Sequence, residues 1–299
     1  MQPPAWQPPG QQPPGQQPPA WQPAGQPAWR PPVPDAERPA DAGQRVSVLD
    51  ALRFPFSDAN WTNNLLISSV FMFIPLVGPL ANAGWHAEIH QRLARRHANP
   101  IPRLEFSDLM HYMSRGAASF FVALILMLPM GLISYLGIIV AVFGGAAVGA
   151  AVNEPLVMAV VWILIGLLGF MFMSLAMMML HAAQARAELT EDLGQSISPG
   201  NLFRFLGKTW GTVLVSSMLF ALVSMLMFFA GYLMCVFGLY PAMVVVTIAA
   251  SHLRWQFYER YLTRGGAPFA LKDPQQLPSE AAAAYHAAYQ AYQNQGQWR

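Results

Sequence analysis

The sequence predicts an all-α fold, a polytopic transmembrane helical bundle with disordered termini, and three observations carry that prediction. Only 11% of the 299 residues are charged while 54% are apolar, and the mean hydropathy is +0.32, well away from an ordinary soluble domain. Between Lys208 and Arg254 lie 45 residues without an acidic or basic charge apart from His252. A bilayer core about 30 Å thick takes about 20 helical residues, so this run reads as two crossings joined by a turn near Gly231 or Gly238. All 17 Lys and Arg and all 15 Asp and Glu fall outside the expected spans. No carboxylate or base is then available at mid-membrane for a proton relay, which counts against ion-coupled transport.

Three regions follow in chain order: a Pro/Gln-rich tail over 1–48, a transmembrane helical domain over 49–264, and a polar tail over 265–299. Residues 1–34 hold 13 of the 26 prolines and eight glutamines in a loose repeat, with Ala5-Trp6-Gln7-Pro8, Ala20-Trp21-Gln22-Pro23 and Ala28-Trp29-Arg30-Pro31. Few apolar residues offset the entropy of ordering there, so a disordered, partly polyproline II tail is expected. It lacks the basic start and apolar stretch of a signal peptide. Such a tail suits a proline-recognising soluble partner.

The first apolar segment runs from Trp61 to Trp85 and is interrupted by Ile74-Pro75-Leu76-Val77-Gly78-Pro79. Pro75 and Pro79 remove two backbone donors and Gly78 adds freedom, so the helix must kink, break or turn back at Pro75, Gly78 and Pro79. A kinked single pass would put the N-terminal tail outside, whereas a re-entrant segment or short hairpin keeps it inside. From Trp85 to Ala98 the pattern changes, with Trp85, Ile89 and Leu93 on one stripe beside Arg92, Arg95 and Arg96. That reads as an interfacial amphipathic helix, with the three arginines as candidate contacts for anionic lipid headgroups. His86, Glu88, His90 and His97 have partial metal-ligand spacing, but without the HExxH order they are expected to be polar residues facing water and headgroups rather than a metal site.

Four further spans are placed individually, within an expectation of about five crossings plus a broken or re-entrant first segment. One, about 118–142, is kinked by Pro129 and Gly131 and followed by a flexible Gly-Ala stretch; Pro155 opens the next, to about Leu180 and on to Leu193. Ser198-Pro199 reads as an N-cap with proline at the first helical position before the terminal hairpin. Basic residues at Arg92–Arg115, Arg186–Lys208 and Arg254–Arg264 against Glu154 in the intervening loop place the C-terminus in the cytoplasm of a multi-pass protein, of the bacterial inner membrane. In the C-terminal tail, Ser279 can cap a short helix with Tyr285, Tyr289 and Tyr292 on one face.

The chain from about 50 to 262 resembles the membrane-protein family called domain of unknown function 4013. The residues that carry the resemblance are Phe54-Pro55 with Asp58 and Trp61, Ile74-Pro75 with Gly78 and Gly84, Pro102 and Gly116, and Cys235, Gly238, His252, Gln256 and Tyr258. A tryptophan expected shortly after Pro102 is replaced by Phe106, and the Gly-Ala loop has no counterpart. The resemblance implies a polytopic bundle of about six helical segments and no known activity.

Function is bounded mainly by exclusion. A net charge of +2 spread over segment ends does not suit nucleic acid. No Ser, His and acid set with a glycine-bracketed nucleophile is visible, so no enzyme and no cofactor are expected. Two readings follow. One is a non-enzymatic membrane scaffold or accessory protein exposing its tails to soluble partners; the other is a channel or transporter for a neutral or lipid-like substrate.

Overall fold

A computed structural model describes residues 45–152, 154–234 and 237–296. The proline-rich segment 1–44 and Cys235 lie outside the described residues, as do the side chains of the Val148–Val152 end of one helix and of Tyr292. Among the described residues the chain is all helical, without strands. Nine α-helices follow in order among these residues: α1 Val48–Arg53, α2 Trp61–Met72, α3 Val77–Ala94, α4 Leu109–Val152, α5 Pro155–Thr190, α6 Leu193–Ile197, α7 Pro199–Leu233, α8 Leu239–Thr263 and α9 Pro278–Gly296.

The described residues divide into two compact units, 280–296 and 45–279. The first contains most of α9, an alanine-rich helix on which Tyr285 and Tyr289 are exposed. The second holds all the other helices.

The interruption at Pro75 produces a helical hairpin. The twelve residues of α2 rise only about 18 Å, too short for a bilayer core. After Met72 the chain turns through Leu76, at a left-handed φ of 64°, and α3 runs back beside α2. Pro79 falls in the first turn of α3, where its missing N–H costs nothing. Two bonds fasten the hairpin: Ser68 Oγ donates to Asn82 Oδ1 at 2.9 Å and Asn82 Nδ2 to the Ser68 carbonyl at 3.3 Å. Residues 45–60 therefore start at the end of the bundle where α8 finishes. There Ser47 and Gln256 exchange two hydrogen bonds, of 2.6 and 3.1 Å, and Phe54 stacks on His252 with ring centroids 4.4 Å apart.

The α4 helix is continuous for 44 residues with Pro129 inside it, about 66 Å long. The Gly-Ala stretch expected to be a flexible loop is thus the last turns of this helix. Among the described residues three helices are long and apolar enough to cross a membrane: Phe106–Ala147, Pro155–Thr190 and Pro199–Leu233. The expected count of about five is not reached on this measure. The α8 helix falls short because its apolar half ends at Ser251 and is followed by His252, Arg254, Gln256 and Glu259.

Helices α3 and α4 cross at glycine on both sides. A Cβ built on Gly84 would fall on the Tyr112 carbonyl, and one on Gly116 on the Leu80 carbonyl. The backbones meet, and only glycine permits it. The segment after α8 is not a free polar tail up to α9: Phe269 is buried against Phe205, Tyr258 and Tyr261, and Leu277 is buried as well. Asp108 accepts from the N–H and the hydroxyl of Ser279, at 2.8 and 2.5 Å.

Candidate functional site

The segment Trp85–Leu93 of α3 is buried on every side. This corrects the expectation of an interfacial helix facing water and headgroups. Its charged and polar residues turn inward because each meets a complementary group from another helix, which offsets the cost of desolvation. Glu88 is ion-paired to Arg92 at 2.6 Å and also to Arg115 of α4. Arg115 reaches Glu191 at 2.6 Å and Gln91 Oε1 at 2.5 Å. Gln91 Nε2 donates to the Glu188 carbonyl at 2.8 Å. Burial works against the ionised form of Glu88, but Arg115 and Arg92 outweigh it and hold the carboxyl below the usual carboxylate range.

Beside this network lies a second ion pair, between α5 and α8. Arg254 donates from Nε to Glu188 Oε2 at 2.9 Å and from Nη2 to Glu188 Oε1 at 2.5 Å, a bidentate fork. His90 Nδ1 lies 2.8 Å from Glu188 Oε2, so that nitrogen carries the proton. The ion pair is the floor of a cavity of about 460 Å³, within the range of small-molecule sites.

Four helices line this cavity with one stripe each, and Phe220 of α7 adds a single residue. The stripes are Pro79, Asn82, Ala83 and His86 on α3; Ser119, Phe120, Ala123, Leu124 and Met127 on α4; Met177, Leu180, His181, Gln184 and Glu188 on α5; and Met243, Val246, Thr247, Ala250 and Arg254 on α8. Each repeats at three and four residues, which puts it on one helix face. Each stripe is also graded along its length. Met177 to Glu188 and Met243 to Arg254 both run from a thioether to a charge over eleven residues, about 16 Å of helix. Met72 of α2 joins Pro79 at the apolar end, so the helix break borders the cavity.

Two histidines at the polar end carry buried ring nitrogens without hydrogen-bond partners. Neither ring nitrogen of His181 has a hydrogen-bond partner among the described residues, and neither does His86 Nε2. Both side chains line the cavity and are buried, at 2% and 7% exposure. An unsatisfied buried polar group costs about 1–3 kcal/mol, so a hydrogen bond to any of these nitrogens would be favourable. Burial pushes His86 down to about 4, which leaves its imidazole neutral at physiological pH with one donor and one acceptor.

Of the three arginines expected to meet anionic lipid, Arg92 is committed to Glu88 and buried. Arg95 donates to Gln91 Oε1 at 3.2 Å and to the Lys272 carbonyl. Arg96 pairs with Glu259 at 3.0 Å and lies over the Trp255 ring with a third of its side chain exposed. Among the described residues no three His, Cys, Asp or Glu are grouped to hold a metal ion. The residues that form the cavity floor, Glu188, Arg254, His181 and Gln184, were not marked by any motif. Their signal in the sequence is the graded stripe, a three-and-four-residue apolar repeat that ends on a charge in both α5 and α8.

A family model described as Protein of unknown function (DUF4013) matches residues 67–236. The match runs from α2 through α7 and includes the α3, α4 and α5 stripes of the cavity. No curated protein and no solved structure matches the chain.

Proposed function

The chain belongs to the DUF4013 family, whose function is unknown, and we propose that it is a multi-pass membrane protein that holds a lipid-like amphiphile between its helices without transforming it chemically. The observation that carries this reading is the graded cavity, whose stripes are apolar at the Met177 and Met243 end and polar at the Glu188 and Arg254 end. An amphiphile presents the same gradient. Three helices apolar enough to span a membrane support it, with large side chains such as Leu128, Ile133, Leu164 and Leu168 exposed along them, which brings lipid to the bundle.

The experiment is retention of bound lipid. The full chain, extracted in polymer discs with its native lipids, is expected to retain one amphiphile through gentle purification, detected by native mass spectrometry. Ala123→Trp, which fills the cavity from α4, is expected to reduce that occupancy at least tenfold while the folded yield is kept. Equal occupancy in the two proteins would remove the reading. A scaffold that recruits soluble partners rests on the proline-rich segment, which lies outside the described residues.

For location, we propose the bacterial inner membrane with the C-terminus in the cytoplasm. The support is the positive-inside rule applied to Arg92–Arg115, Arg186–Lys208 and Arg254–Arg264. Residues 45–60 then lie on the same side, because α2 and α3 return to that end. Contact with anionic headgroups falls to Arg95 and Arg96. In a Cys235→Ser background, cysteines at Gln195 and Gly265 should resist an impermeant thiol reagent in intact cells while one at Gly149 reacts; the opposite pattern would invert the topology.

A further inference from the structure

We propose that the polar end of the cavity selects an uncharged alcohol headgroup, so that the amphiphile is a lipid alcohol rather than a phosphate-bearing lipid. This rests on the reading of the cavity as an amphiphile site and specifies its ligand.

The charges at the floor cancel. Arg254 spends its Nε and Nη2 on the two oxygens of Glu188, and Nη2 also donates to Ser251 Oγ at 2.9 Å. Glu188 takes a further bond from His90. A phosphate entering this end would have to break a bidentate pair whose partners are both buried, and would then sit against the released carboxylate. An ammonium group would meet the guanidinium instead. Neither charge sign is offered a free counter-ion at the floor.

What the polar end does offer is neutral. His181 presents two unpartnered ring nitrogens and His86 presents Nε2, and Asn82, the one amide on the α3 stripe, is already paired with Ser68. A neutral imidazole has one donor and one acceptor, and a hydroxyl both donates and accepts, so an alcohol pairs with either ring nitrogen of His181, one at a time. Sites built to hydrogen-bond a hydroxyl discriminate strongly against the analogue that lacks it, because their buried groups are then left unpaired. Above the headgroup, Leu180, Val246 and Ala250 give way to Met127, Met177 and Met243. This is an adaptable apolar lining for acyl or prenyl chain.

The test uses three probes with identical chains: dioleoylglycerol, its methyl ether, and dioleoyl phosphatidate. Each is titrated into the delipidated full-length protein in detergent micelles and read as occupancy by native mass spectrometry. The alcohol is expected to bind at least about tenfold tighter than the ether, the factor that corresponds to one hydrogen bond lost at a buried site, and tighter than the phosphatidate. His181→Phe keeps the ring and removes the hydrogen bonds. It should bring the alcohol down to the level of the ether while leaving ether binding within about twofold. Ether binding equal to alcohol binding in the unaltered chain, or tighter binding of phosphatidate, overturns the headgroup assignment, and this ranking decides the matter even if His181→Phe does not fold. Failure of all three probes to bind, with no effect of Ala123→Trp on native lipid, removes the cavity reading itself. Equal binding of all three that Ala123→Trp abolishes keeps the cavity and rejects the alcohol.

Discussion

Replacing Glu188 by glutamine is expected to destabilise the protein by about 3–5 kcal/mol, the cost of leaving a buried guanidinium without its counter-charge. Glu188 is buried, and three of its contacts, two from Arg254 and one from His90, fasten α5 to α8 and α3. The neutral amide keeps the shape and one acceptor but loses the charge, and its own N–H groups face the donors of Arg254. Thermal unfolding in detergent, followed by the monodisperse fraction after heating, measures the loss. Arg254→Met should be similarly damaging because it strands the carboxylate. Combining Glu188→Leu with Arg254→Met should recover most of the stability, since two apolar side chains at this site remove both desolvation costs together. If the double replacement were as unstable as the sum of the single ones, the pair would not be coupled as its geometry requires.

Gly84→Val is expected to abolish folded protein in the membrane. The α3–α4 crossing has backbone against backbone, and any side chain at Gly84 would occupy the space of the Tyr112 carbonyl. Backbone cannot swing aside as a flexible side chain can, so the helices must separate. Separation would open the Glu88–Arg115 pair, which joins the same two helices. Gly116→Val should do the same from the other side. Gly131 in α4 provides the control, because a Cβ there meets nothing within 4 Å. Gly131→Ala should leave the yield unchanged or raise it, as alanine in a helix interior is favoured by about 0.5–1 kcal/mol. Yield in the membrane fraction, compared across the three variants, gives the result. Equal yields for Gly84→Val and Gly131→Ala would contradict the crossing.

The helical class was legible in the sequence because apolar runs bounded by charge are a composition signal that survives without any knowledge of partners. The helix that starts at Pro155, the Ser198-Pro199 start of α7 and the turn between Leu233 and Leu239 all follow from such local cues. The interruption at Pro75 was legible as a break but not as a hairpin. Its direction depends on bonds such as Ser68 to Asn82 that no proline pattern encodes. The segment 85–98 was misread for a related reason. A stripe of Trp85, Ile89 and Leu93 beside arginines describes an interfacial helix and a buried polar helix equally well, and the difference lies in partners 27 residues away for Glu88 and 98 for His90. Several of the described residues that carry the family resemblance are contact points. Trp85 Nε1 donates to the Pro102 carbonyl at 3.1 Å, Gly84 meets the backbone near Gly116, Phe54 lies on His252, and Tyr258 Oη accepts from the Phe269 N–H. They mark how the helices meet rather than what the protein binds. The cavity has no local signature because its polar end is assembled from α3, α5 and α8.

The most direct test of the account is where a lipid chain goes. Cells expressing the full chain can be fed a fatty acid with a photoreactive diazirine, irradiated, and the adducts mapped by peptide mass spectrometry. Bulk lipid will label outward residues such as Leu128, Ile133, Leu164 and Leu168 whatever the cavity does. An amphiphile held inside should in addition label Leu180, Phe220, Val246 and Ala250, which line the cavity and are 2–8% exposed, and Ala123→Trp should erase those adducts while sparing the outward ones. Labelling confined to the outward residues in both proteins would contradict an amphiphile between the helices.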